Sequence, residues 1–154
     1  MVSDELNRRP NLAPLRSISM KCVAVTPEKT VFDSEVEFVV VPLFDGEYGV
    51  GKDHSPVVGR IGAGELRLTL NDGSVERWYV EGGFVEVVDN TVSLLTNRAC
   101  LLRELNLESV RQEYETARTL PSNSPELMEI RNESIERARA KLRAAEKAEN
   151  VFSR

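Results

Sequence analysis

The sequence predicts an α+β chain: a β-sandwich or barrel over the first hundred residues, then an antiparallel helical hairpin. Three observations carry this. Short β-type runs, separated by Gly, Asn and Asp turns, recur at roughly ten-residue spacing as far as Leu95. Beyond Cys100 the glycines, nine in all, stop. From Leu107 the apolar residues fall at helical spacing, on both sides of the break Pro121-Ser122-Asn123-Ser124-Pro125.

Met1 to Arg16 is polar, with Pro10, Pro14 and three arginines, and is expected to be a disordered extension. Asp4 and Glu5 speak against a transit peptide, which is acid-poor. Ser17–Val25 is the first β-type run, ended by Thr26-Pro27-Glu28. Thr30–Phe32 follows as a short strand, with a turn expected at Asp33-Ser34. Val36–Val41 is apolar and β-branched, so burial on both faces or in a sandwich core is expected, with Pro42 at its end.

Phe44–Gly64 holds six of the nine glycines and the one histidine, His54. That density marks tight turns and close backbone approach, and a shaped loop joining two strands is expected. His54 has no second histidine, and Cys22 and Cys100 have no metal-ligand spacing with it. A loop histidine that bonds neighbouring backbone is the plain reading, and a contact surface for another subunit is the other. After it, Glu65–Leu70 sets Leu66, Leu68 and Leu70 on one face, and Asn71-Asp72-Gly73-Ser74 is a hairpin turn. Val75–Val80, Phe84–Val88 and Thr91–Leu95 are further strands, divided by Glu81-Gly82-Gly83 and Asp89-Asn90. Trp78 and Phe84 are expected in the core.

In the helical part Asn106 is placed to cap a first helix and Ser124 a second, with Pro125 at its first position. Leu127, Ile130, Ile135, Ala138, Leu142 and Ala145 form the second helix's apolar stripe, and Glu133–Arg137 is an i,i+4 pair opposite. Alanine thins the stripe, so weak docking and detachment of the hairpin are expected.

Composition limits function. The chain has 154 residues, 41% hydrophobic and 29% charged, ordinary for a soluble protein. Net charge is -5, all of it in residues 1–100, since 101–154 carry ten basic and ten acidic residues. That argues against a general nucleic-acid binder. Two cysteines make no disulfide framework, no run approaches the ~18 apolar residues of a membrane span, and no secretory signal is expected. There is no nucleophile–base pair and no phosphate loop ahead of a helix, so an enzyme is not expected.

The residues resemble a family. Val25-Thr26-Pro27-Glu28-Lys29, Gly46-Glu47-Tyr48-Gly49-Val50, Asp53-His54-Ser55-Pro56, Gly62-Ala63-Gly64 and Gly82-Gly83-Phe84-Val85-Glu86-Val87, followed by a helical hairpin, resemble the epsilon subunits of F-type ATP synthases. The likeness runs from about Met20 to Ala148; the family's glycine before the histidine is here Asp53. It implies a ten-stranded β-sandwich and a C-terminal two-helix domain, divided as 1–16 extension, 17–102 sandwich, 103–150 hairpin and 151–154 tail. It also implies a non-catalytic rotor subunit that couples proton flow to ATP synthesis. Its partners would be the gamma subunit, the c-ring and, through the C-terminal helices, the catalytic alpha and beta subunits. Its place would be peripheral, on the cytoplasmic face of the bacterial inner membrane.

The resemblance assigns Glu47, Tyr48 and His54 to the interface with gamma and the c-ring. It implies no resident cofactor. Some bacterial members bind ATP in the hairpin, and the positions that match their motif are Glu108, Arg111, Arg137 and Lys141. Glu108 replaces an Asp, Gln112 an Ala, and Lys141 the second of two arginines, which loses the bidentate fork suited to phosphate. An ATP-sensing regulatory module is the alternative function.

Overall fold

The computed structural model describes residues 19–152, so the extension expected over 1–16 lies outside the described residues. Nine strands come first: β1 Met20–Val25, β2 Thr30–Leu43, β3 Gly46–Val50, β4 Val57–Arg60, β5 Ala63–Leu70, β6 Val75–Glu81, β7 Phe84–Val88, β8 Thr91–Leu95 and β9 Arg98–Leu101. A 3-10 turn, Leu102–Glu104, leads into α1 (Leu107–Arg118) and α2 (Pro125–Phe152).

The strands bond in the order β4-β7-β8-β1-β2-β5-β6-β9, with β3 also beside β2. β1 and β8 run parallel, and the other pairs are antiparallel. β2 joins the two halves. Its first part, to Val36, pairs with β1, and its second part pairs with β5 and β3. Counted once in each half, this 14-residue strand completes the ten strands expected.

The turn expected at Asp33-Ser34 is absent. β2 runs through it, with Asp33 opposite Val23 and Ser34 opposite Cys22. The ladder with β1 overrides local turn preference, and Asp33 finds Lys21 at 3.5 Å on the solvent side. Of the two arrangements expected for Val36–Val41, the sandwich core is the one that forms. The register shifts between Val36 and Phe38. This bulge lets Val36, Val39 and Val41 all face inward and turns Glu37 and Phe38 outward.

The stretch Phe44–Gly64 is more strand than loop, since it contains β3, β4 and the start of β5 and leaves 51–56 as its longest connection. Its glycines serve close packing. A Cβ on Gly49 would stand 2.8 Å from Phe38 Cζ, and one on Gly59 would stand 3.2 Å from Leu43 Cδ2. The turn at 71–74 closes β5 on β6, with Leu70 N–H donating to Ser74 O at 2.8 Å. Asp89 and Asn90, at φ +49° and +57°, form the two-residue turn between β7 and β8.

Inward residues of both halves meet in one core. Cys22, Ala24, Val85, Val87, Val92 and Leu94 of one half pack against Val39, Val41, Leu66, Leu68, Trp78 and Val80 of the other. Burial of each large side chain contributes about 1.5–3 kcal/mol. Trp78 lies there as expected, its ring 4.7 Å from Phe32. Phe84 does not: it is 59% exposed, because β7 turns Val85 and Val87 inward and Phe84, Glu86 and Val88 outward.

Both helix caps form. The Asn106 side chain accepts from Ser109 N–H at 2.9 Å, and Ser124 Oγ accepts from Leu127 N–H at 3.1 Å. The buried stripe of α2 differs from the expected one. It comprises Ala138, Lys141, Ala144, Ala145 and Ala148, while Ile130 is exposed. Arg137 pairs with Glu81 of β6 at 3.1 Å rather than with Glu133. Ala144 and Ala148 pack on Tyr79 and Leu102, which seats α2 on the sandwich through a small apolar cluster.

Candidate partner interface and interhelical cleft

Glu47 and Tyr48 are neighbours on β3 and so point to opposite faces. Glu47 points outward. Its carboxylate accepts two bonds from Arg67 of β5, at 3.1 and 3.2 Å, the bidentate geometry that suits a guanidinium. The Arg67 bond holds its carboxyl below the usual carboxylate range. A depressed folded-state pKa gives stability that is present above the ordinary carboxylate range and is lost as pH falls through the lowered value. The side chain is 58% exposed, so solvent screening makes that contribution small.

Tyr48 points toward the core edge and meets His54. Its hydroxyl lies 3.0 Å from His54 Nε2, and His54 Nδ1 lies 2.7 Å from Ser55 O. A carbonyl only accepts, so Nδ1 carries the hydrogen and Nε2 accepts from the tyrosine hydroxyl. Asn90 Oδ1 accepts from Asp53 N–H at 2.7 Å, and its amide donates to Asp53 Oδ1 at 3.1 Å. The connection 51–56 is thus pinned to the β7–β8 turn. The arrangement is a stiff, shaped edge, and both nitrogens of its histidine are engaged.

One residue beside it is absent from the sequence-based assignment. Glu65 of β5 is buried, although it alternates with the core leucines, because α2 covers it. Its Oε1 accepts from Arg67 at 3.1 Å, Arg77 at 2.9 Å and Lys147 of α2 at 3.1 Å. Its Oε2 is buried without a partner.

The outer face of β4, β7 and β8 is mixed, with Val58, Phe84, Val88 and Leu95 sharing it with Arg60, Glu86, Thr91 and Ser93. Phe84 stands opposite Leu95 across one pair and Arg60 across the other. Val58 shares that face, two residues before Arg60, and the Arg60 guanidinium lies 4.9 Å from the centre of the Phe44 ring. Phe44, Val58, Phe84 and Leu95 are each 59–73% exposed. Clustered exposed apolar side chains of this kind suit a protein contact surface.

Between α1 and α2 lies a cleft of about 550 Å³, closed on one side by Glu81 and Arg98. Of the four candidate nucleotide residues it brings together Arg137 and Lys141; Glu108 and Arg111 are exposed and do not line it. Lys141 is buried and donates to both carboxylate oxygens of Glu113, at 3.0 and 2.8 Å. Arg137 is held by Glu81, whose other oxygen accepts from the Tyr79 hydroxyl at 3.0 Å. Burial pushes the Tyr79 hydroxyl up, so it stays protonated and donates. Both cations are therefore already neutralised, and an anionic ligand would have to displace two carboxylates.

The family model of the ATP synthase Delta/Epsilon chain beta-sandwich domain matches residues 19–101, more than half of the chain. An ATP synthase epsilon chain of Rhodopirellula baltica is 42% identical over 128 residues, covering 83% of this chain and 99% of that relative. The chain belongs to the ATP synthase epsilon-chain family. The sodium ion specific ATP synthase epsilon chain of Propionigenium modestum is 31% identical over 130 residues, 83% of this chain and 94% of that relative.

Solved structures share the fold of this epsilon-family chain. A chain of the Euglena gracilis mitochondrial ATP synthase, in an OSCP/F1/c-ring structure, superposes with a TM-score of 0.73 at 22% identity, covering 83% of this chain and 81% of that one. A chain of the Tetrahymena thermophila mitochondrial ATP synthase central stalk/c-ring superposes with a TM-score of 0.63 at 14% identity, covering 82% and 96%.

Sequence reasoning missed two features. The burial of Glu65 follows only once α2 is laid over β5. A local signal existed for the exposed apolar cluster, since period-two alternation from Val85 and Val87 sends Phe84 outward.

Proposed function

We propose that this epsilon chain is a non-catalytic coupling subunit of the central stalk. It binds the gamma subunit and the c-ring, turns with them, and so links ion flow to ATP synthesis. The observation that carries this is the pair of exposed apolar side chains Phe84 and Leu95 on a rigid sandwich that also carries the pinned edge of Glu47, Tyr48 and His54. A rotor joint transmits torque, which needs shape and stiffness rather than a reactive centre. The apolar pair fits gamma, and the polar edge fits the loops of the c-ring. No helix among the described residues is long and apolar enough to cross a membrane; the location proposed with this role is peripheral, on the cytoplasmic face of the bacterial inner membrane. The driving ion is taken as the proton, although one relative is named sodium ion specific.

The two helices are proposed to reach the catalytic alpha and beta subunits and restrain ATP hydrolysis. Nucleotide sensing through Arg137 and Lys141 is the second function considered. The interhelical cleft favours it by its size, and the carboxylates on both cations oppose it.

The test is binding to gamma. Wild-type chain should co-purify with a tagged gamma subunit in equal amounts. Phe84→Glu together with Leu95→Glu should weaken binding about tenfold or more, as expected for central apolar contacts. The thermal unfolding midpoint should hardly move, because both side chains are exposed. Undiminished binding by a folded double variant would exclude this face as the contact.

A further inference from the structure

Glu47 and helix α2 are joined by a chain of charges. Arg67 is shared: its Nη1 donates at 3.1 Å both to Glu47 and to Glu65. Glu65 in turn holds Lys147 of α2 at 3.1 Å and Arg77 at 2.9 Å. Three cations thus converge on Glu65 Oε1, which has two lone pairs, while the buried Oε2 has no donor. The donors compete. Two carboxylates face three cations, and cancelling the charge of Glu47 leaves three cations around one carboxylate. Arg67, released from Glu47, turns its whole charge toward Glu65 and Lys147. The low-dielectric, α2-covered position of Glu65 strengthens that repulsion relative to an exposed pair.

We propose that the charge on Glu47 and the docking of α2 are coupled through Arg67, Glu65 and Lys147. Ionised, unengaged Glu47 holds α2 on the sandwich, and a cationic group of a partner seated on Glu47 loosens it. By linkage, α2 leaving the sandwich makes Arg67 more available to Glu65 and Glu47 more available to the partner. The polar edge of the sandwich then reports its engagement to the helices, across the outer face of β5. This rests on the proposed ability of α2 to leave the sandwich.

The test uses the full chain without partners. Spin labels are placed at Ser74→Cys and Asn150→Cys, in a Cys100→Ser background; Cys22 is fully buried and takes no label. Pulsed dipolar spectroscopy then gives the docked and separated populations of α2. Glu47→Gln should raise the separated-to-docked ratio roughly fivefold, the low end of coupled-site effects because Glu47 and Lys147 are solvent-screened. Lys147→Met should raise it too, and Glu47→Gln should add nothing in the Lys147→Met background. A separated population that Glu47→Gln leaves unmoved, or moves equally in both backgrounds, overturns the coupling and leaves α2 release standing. No separated population in any of the four proteins overturns both.

Discussion

Gly83→Ala is expected to destabilise the chain by roughly 3–5 kcal/mol, at the severe end for a single methyl group. Gly83 sits at φ +94°, a conformation that L side chains rarely adopt. A Cβ there would lie 1.8 Å from Leu95 O and 2.8 Å from Thr96 Cα. These are backbone atoms at the end of β8, so no side chain is free to rotate away. Shifting the β7–β8 pair would strain the Phe84–Leu95 register and the bond from Ile61 N–H to Gly83 O, 2.8 Å long. Against a total of about 5–15 kcal/mol, this removes a large fraction of stability. Gly73→Ala is the control. Gly73 has φ +85° but open space around it, so strain without collision should cost about 1 kcal/mol. Urea unfolding of both variants checks this. Equal losses would show that the contact with β8 is unimportant.

The second large effect is functional. Removing residues 104–154 is expected to raise ATP hydrolysis by the assembled synthase roughly fivefold or more, while gradient-driven synthesis persists. The reason lies in how α2 is seated. Its buried stripe is alanine with one lysine, and its apolar partners on the sandwich are Tyr79 and Leu102. A buried leucine contributes about 1.5–3 kcal/mol and alanine much less, so separation exposes little apolar area. The separated helix would present Arg137, Arg139, Lys141 and Arg143, of which Arg137 and Lys141 are held by Glu81 and Glu113 in the docked state. Such contacts are individually weak but add over an interface with an acidic surface. Hydrolysis unchanged by the deletion would defeat the inhibitory role.

The sandwich was legible because its signals are local. Alternation at Leu66, Leu68 and Leu70, the turn at 71–74 and the Asp89-Asn90 turn are properties of a few neighbouring residues. The caps Asn106 and Ser124 are equally local. Long-range effects were not legible. β2 ignores the turn preference of Asp33-Ser34 because β1 pairs across it, and its bulge resets which valines face inward. Lys141 lies inside a stripe that spacing alone assigns to apolar residues, because Glu113 of α1 and the Tyr79 ring wait opposite it. Glu65 looks like a solvated strand charge until α2 is laid over it. For the candidate site, Tyr48 and His54 meet as one unit, whereas Glu108 and Arg111 stay apart from Arg137 and Lys141. Helical spacing could not distinguish the cleft side of α1 from its solvent side.

Restoration of coupling tests the stalk role most directly. Synthase stripped of its own epsilon chain is placed in vesicles with an imposed ion gradient, and this chain is added. The predicted result is a rise in gradient-driven ATP synthesis together with a fall in gradient-free hydrolysis. A synthase whose synthesis and hydrolysis both stay at the stripped level would contradict it.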